Sequence, residues 1–290
     1  MHTSNVSVEQ RRPDWAALLV EAVSKPGLIS DTYSRFWNYS AGNQILAWCQ
    51  CIARGIELGP INTFDGWRRL NRSVRRGERA LELCMPIRVR RKATEPPQDD
   101  GGSVVAGDGA ERTGHWDTIP VFVLKRRWFV LGQTDGADYV PTELPAWGER
   151  NALYHLGIER ITFRHADGNV QGYAFERQVA VSLIAALPHK TLFHEAAHVV
   201  LEHTRELGRM DDHDATPRSL REVEAECVAL IICESLGLPG CDAARGYIQG
   251  WLKAGGDNTI PLRSAKRIFR AADVILKAGY PSAEQPGDEV

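Results

Sequence analysis

Leu192-Phe193-His194-Glu195-Ala196-Ala197-His198-Val199-Val200 is the stretch on which the reading of this chain turns. On a helix, residues four apart lie on one face about one turn from each other. His194 and His198 therefore project two imidazoles toward one point, and two such nitrogens can bind a single zinc ion at about 2.0–2.1 Å each. Glu195, next to the first histidine, is placed in this pattern to take a proton from water. A chance HExxH on a solvated helix would sit among charged residues. Here Leu192, Phe193, Val199, Val200 and Leu201 surround it, so the helix is expected to be buried and the site kept partly dry. Pro188 opens the helix, which is predicted to run to about His203.

A catalytic zinc needs a third protein ligand and one open position. Residues 219–229, SLREVEAECVA, offer three glutamates. Ser219 and Glu222 stand in the S-x-x-E relation of a capping box, which gives Glu222 a structural role at a helix start. Glu224 and Glu226 differ by two residues, a rotation of about 200°, so only one can face the metal. Glu224 precedes the small Ala225, which lets two helices approach closely, and is the expected third ligand. Glu226 is the alternative, and a Cys227 thiolate is a weaker one because Val228 and Ala229 mark that position as core.

Around this site the second half reads as short strands followed by helices. Strands are expected at 161–163, 170–175 and 179–182, with a turn at Ala166-Asp167-Gly168-Asn169. Helices are expected to open at Ser219, Asp242 and Ser264. In the first half, Asp14 and Thr63 can cap helices over 14–24 and 64–70, and a further helix is expected from about Ser40 to Ala53. Alternation then predicts strands near Leu81-Leu83-Met85, at 121–124 and at 128–131. Residues 93–114, ATEPPQDDGGSVVAGDGAERTG, are nearly free of large apolar side chains and read as a disordered insertion. Residues 137–150 read as a connection between two halves.

Arg68, Arg69, Arg72, Arg75, Arg76 and Arg79 crowd one short segment, with Arg88, Arg90, Arg91 and Lys92 beyond it. Only Asp65, Glu78 and Glu82 oppose them. Such a patch is the footprint expected for a polyanion. Trp67, with Trp48, Phe64 and Trp128, is a candidate stacking face for unpaired bases.

The whole chain has 290 residues, a formal charge of -2, 43% hydrophobic and 25% charged residues. Length suggests about two domains, and the net charge names no partner. No apolar run is long enough to span a bilayer, and the N-terminus has no apolar stretch after its charges, so no membrane association is expected. Six cysteines without a CxxC pair are expected to be reduced thiols of a cytoplasmic protein.

Residues 190–204, KTLFHEAAHVVLEHT, together with 222–229, resemble the zincin-like metallopeptidase domain of ArdC-type antirestriction proteins and of the related ImmA/IrrE peptidases. This resemblance covers about residues 155–240. It implies zinc as cofactor, a protein substrate, and a third ligand followed by alanine, which Glu224-Ala225 matches. The first half resembles the ArdC N-terminal single-stranded-DNA-binding domain: Asn38-Tyr39-Ser40-Ala41-Gly42-Asn43, then TFDGWRRLNRSVRRGERALELCMP over 63–86, then FVLGQTDG over 129–136. Asn71 stands where a glycine is common in that family, and Asn43-Gln44 where a tyrosine or arginine follows the glycine. The resemblance implies an α+β chain with a single-stranded-DNA-binding domain over 1–145 and a zincin-like domain over 146–290. Two other readings stay open: a regulatory protease of the ImmA/IrrE kind that cleaves a repressor, and a DNA-protecting binding protein with a non-catalytic metal site. Glu195 is what a purely structural site would not need.

Overall fold

Asp14 accepts a hydrogen bond from the Ala17 amide at 3.0 Å and so starts α1 (Trp15–Ser24). The structure, a computed structural model, describes residues 13–92, 116–141, 143–165, 169–204, 216–254 and 259–281. The insertion expected at 93–114 lies outside the described residues. Thr63 caps α4 (Phe64–Arg69), as its sequence position predicts, and Ser40 caps α3 (Ala41–Arg54). Between α1 and α3 runs α2 (Leu28–Phe36), which the sequence reading missed. Its LISDTYSRF is rich in Ser, Thr, Asp and aromatic residues, all weak helix formers. Tertiary packing holds it instead: Leu28, Ile29, Thr32, Tyr33 and Phe36 share a buried face.

The next strands are β1 (Ile61–Thr63), β2 (Arg72–Val74), β3 (Leu81–Lys92), β4 (Trp116–Val130) and β5 (Thr134–Gly136). β1, β4 and β3 form one antiparallel sheet in that order, and β2 pairs with β5. β4 is one continuous strand where two were expected at 121–124 and 128–131. Lys125-Arg126-Arg127 reads as a break, but Arg126 instead pairs with Glu82 across the ladder.

β3 is an edge strand, and two amides of α3 cover that edge. Asn43 donates to Cys84 O and accepts from Cys84 N, both at 2.8 Å. Gln50 does the same for Glu82, at 2.8 and 2.9 Å. Asn43→Ala leaves a backbone donor and acceptor without partners, and we expect a loss of about 1–3 kcal/mol in urea unfolding of the whole chain. An unchanged midpoint would show that water replaces the amide freely.

Gln133-Thr134-Asp135-Gly136 closes this part of the fold. Gln133 is buried; its oxygen accepts from Val130 N and its amide donates to Glu78 and to Arg79 O. Gly136, at φ +138°, lies where a Cβ would come within 2.4 Å of Asn71 O. The motif is thus a turn lock.

The second half holds α5 (Glu149–Leu156), β6 (Glu159–Arg160), β7 (Gly172–Phe175) and β8 (Gln178–Val181). The strand expected at 161–163 is not formed; the ladder reduces to β6, with Ile161 N still bonded to Val179 O. The sheet order is β6-β8-β7, with β6 parallel and β7 antiparallel to β8. Four helices follow: α6 (Pro188–Val200), α7 (Arg218–Ser235), α8 (Cys241–Ala254) and α9 (Leu262–Ala278). α7 is the central one, buried almost throughout from Val223 to Glu234. The largest hydrophobic cluster joins both halves: Leu19, Ala22 and Val23 of α1 and Ile29 of α2 pack with α7, α8 and α9. A buried Glu234–Arg245 pair reinforces this, bonding Ile29 N and Val23 O. No helix among the described residues is long and apolar enough to cross a membrane.

Candidate metal centre

α6 carries HExxH with its apolar side down. Leu192, Phe193, Ala196, Ala197 and Val199 are buried, and His194 and His198 keep partial exposure. Gly172 of β7 lets the helix lie close: a Cβ there would meet Thr191 Cγ2 at 2.6 Å and Glu195 Cγ at 3.1 Å.

The two imidazoles converge as their spacing predicts. His194 Nε2 and His198 Nε2 are 3.1 Å apart. The carboxylate that meets them is Glu222, whose Oε2 lies 3.3 Å from His194 Nε2 and 3.5 Å from His198 Nε2. These three residues form a group able to hold a metal ion. Tetrahedral coordination with bonds of about 2.0–2.2 Å requires donors about 3.3–3.5 Å apart, so this donor set fits one zinc-sized cation.

Glu224, expected as the third ligand, is not in this group. It is fully buried and bonded to His203 Nε2 at 2.9 Å, with Arg267 at 3.5 Å. Glu222 and Glu226, four apart, share the face toward α6; Glu224 points away from it. The capping box expected of Ser219 and Glu222 does not form, since α7 begins at Arg218 after Pro217 and has no side-chain cap, and this leaves Glu222 free to face α6. Glu226, the alternative ligand, touches the other nitrogen: its Oε2 is 2.8 Å from His194 Nδ1, and its Oε1 pairs with Lys190 at 2.5 Å. Cys227 is completely buried.

The charges are mutually dependent. Burial lowers the pKa of His194, but the hydrogen bonds it donates to Glu222 and Glu226, with the nearby Glu195, outweigh it and raise it to about 9. The hydrogen bond from His194, with the facing His198 imidazole, holds Glu222 well below the usual carboxylate range. Burial pushes Glu195 up, against the lowering charges of His194 and His198. A base raised toward neutrality is better matched to proton transfer.

His203 was not recognised in the sequence as part of this neighbourhood. Its Nδ1 is 3.0 Å from His198 Nδ1. The signal that places it is a helix ending. His203 N bonds His198 O and Glu202 N bonds Val199 O, the two bonds of a Schellman turn, with Glu202 at φ +62° in place of the usual glycine.

The arginine segment separates into two sets. Arg72 is bound to Thr134 and Ala137, and Arg75 to Glu78, Asp135 and Gly132 O. Arg68, Arg69, Arg76 and Arg79 are exposed. Trp67, a candidate for base stacking, is a core residue: 1% exposed, with Nε1 donating to Phe129 O. Phe64, one turn before Arg68, is instead 47% exposed.

Comparison with known proteins agrees with this architecture. Residues 9–125 match the family described as the N-terminal domain of anti-restriction factor ArdC. An uncharacterized Sinorhizobium fredii protein, y4eC, is 25% identical over 252 residues, spanning 81% of this chain and 74% of its own. The Mn(II)-bound crystal structure of the antirestriction ArdC protein from the R388 plasmid covers 94% of this chain and 100% of its own, with 19% identity and a TM-score of 0.51. The metal-free crystal structure of that protein covers 91% and 94%, with 22% identity and a TM-score of 0.49. The first half of the chain thus matches the ArdC N-terminal domain family over 9–125, and nearly the whole chain shares its fold with the R388 ArdC protein.

Proposed function

We propose that the chain binds single-stranded DNA through its first half, residues 1–145, and carries a zinc-dependent, zincin-like peptidase centre in residues 146–290, in an antirestriction role. The observation that carries the second part is the meeting of His194 Nε2, His198 Nε2 and Glu222 Oε2 within 3.1–3.5 Å, beside the buried Glu195. A divalent cation in the R388 ArdC crystal supports it. When bound, the zinc supplies a Lewis acid at the point the three donors share. Glu195 accepts the proton of the attacking water on its carboxylate and returns it to the leaving amine nitrogen. β7 is an edge strand that begins at Gly172 against Glu195, so an extended peptide added along that edge would pass the carboxylate.

The DNA-binding part rests on the exposed Arg68, Arg69, Arg76 and Arg79 beside the exposed Phe64 and on the ArdC N-terminal family match. Because α1 and α2 pack on the second half, the test uses the whole chain. Fluorescence anisotropy with a labelled oligothymidylate should show affinity falling with salt, by about 0.7 log units per log unit of salt for each neutralised phosphate. Arg76→Glu with Arg79→Glu should lower both affinity and slope. Phe64→Ala should weaken binding by about 1–3 kcal/mol per stacked base with the slope retained. No binding at low salt would overturn this half of the proposal.

A further inference from the structure

The helix-terminal turn that brings His203 back under His198 has a consequence for the ligand itself. Glu224 sits at the end of a chain of contacts: Arg267 Nη1 to Glu224 Oε2 at 3.5 Å, Glu224 Oε2 to His203 Nε2 at 2.9 Å, and His203 Nδ1 to His198 Nδ1 at 3.0 Å. Arg267 also donates to Leu201 O, at the end of α6. A guanidinium can only donate, and the carboxylate facing it can only accept. His203 Nε2 must then carry the proton that Glu224 accepts. In a neutral imidazole that leaves His203 Nδ1 as an acceptor, so the proton between the two histidines belongs to His198 Nδ1. His198 Nε2 is left with its lone pair, aimed at His194 Nε2 and Glu222 Oε2.

We infer that His203 and Glu224, anchored by Arg267, form a positioning relay that holds His198 in its metal-binding tautomer. The inference rests on the proposed metal centre and extends it. It also explains why two further glutamates stand on α7 behind Glu222. Glu226 acts directly on His194 Nδ1, with Lys190 behind it. Glu224 acts on His198 through His203. Each imidazole thus has one carboxylate holding its Nδ1 side, directly or through His203, and partners of this kind typically change metal affinity about 10–100-fold. The αL conformation of Glu202 has a consistent place here. A non-glycine residue in that region is strained, and the turn it makes delivers His203.

Two readouts test the relay on the full-length chain. The first is the tautomeric state of His198 in metal-stripped protein, from long-range nitrogen–proton correlation spectra of histidine-labelled samples assigned with His198→Asn. The expected result is a proton on Nδ1 and a bare Nε2 in the wild type, with the preference lost in His203→Phe. A wild-type proton on His198 Nε2 would overturn the inference, whether or not the protein binds metal. The second is zinc affinity by competition with a chromophoric chelator. His203→Phe and Glu224→Leu should weaken it about 10–100-fold, and Glu224→Gln, which keeps a carbonyl acceptor for His203, should recover most of the loss. Circular dichroism of the stripped variants separates this from unfolding. Folded variants that bind zinc as tightly as the wild type would also overturn the inference. A wild type that binds no zinc but shows the expected tautomer would remove the metal centre and leave the relay standing.

Discussion

Alanine at His194, His198 or Glu222 will abolish retention of zinc, measured by elemental analysis after dialysis, while the wild type keeps one equivalent per chain. Each of the three contributes one of the atoms that meet within 3.1–3.5 Å, and a site with only two protein donors no longer competes with water and buffer. The separating comparison is Glu222→Ala against Glu224→Ala. Loss of zinc at Glu224 with full retention at Glu222 would return the third ligand to the residue that the sequence favoured. The same centre predicts a pH dependence with a definite sign. His194 is raised from 6.5 to about 9, so at neutral pH it holds a proton that the metal must displace. Zinc affinity should therefore rise with pH up to about 9. In stripped protein the sign is reversed. A raised histidine contributes stability that is fully present below its unfolded pKa of 6.5 and lost as pH rises through about 9. Thermal melts of the stripped protein should fall over that window, and those of the zinc-loaded protein should not.

Glu195→Gln should reduce hydrolysis of a dye-quenched casein by about 10²–10⁴-fold, the usual contribution of a general base. Zinc content and binding of single-stranded DNA should be unchanged, because the amide preserves shape and Glu195 is not among the three grouped donors. This variant separates the peptidase reading from a DNA-protecting protein with a non-catalytic metal. Equal hydrolysis by wild type and variant, or none by either with zinc bound, would favour the latter.

Much of the site was legible because it is local. Two histidines four apart on an apolar helix share a face whatever the rest of the chain does, and Asp14 and Thr63 declare their caps within three residues. The single-stranded-DNA-binding resemblance likewise rests on short segments read directly from the chain, and the arginine cluster on simple proximity in sequence. The carboxylate that meets the two imidazoles was not legible in the same way. Residues 219–229 limit it to a few candidates, but choosing Glu222 requires the point where α7 starts and its rotation against α6. Both are set by burying Val223 and 225–233 in a core that also takes α1, α2, α8 and α9. Trp67 and Phe64 lie three residues apart on one short helix with similar hydrophobicity. Only packing against Phe129 and Tyr139 decides that the tryptophan is core and the phenylalanine faces water. His203 enters the neighbourhood of His198 through a left-handed turn at a glutamate, which carries no glycine to announce it. The sequence by itself determined the chemistry available on α6. The tertiary structure decided which carboxylate meets it, because that choice depends on helix rotation and burial across residues distant in the chain.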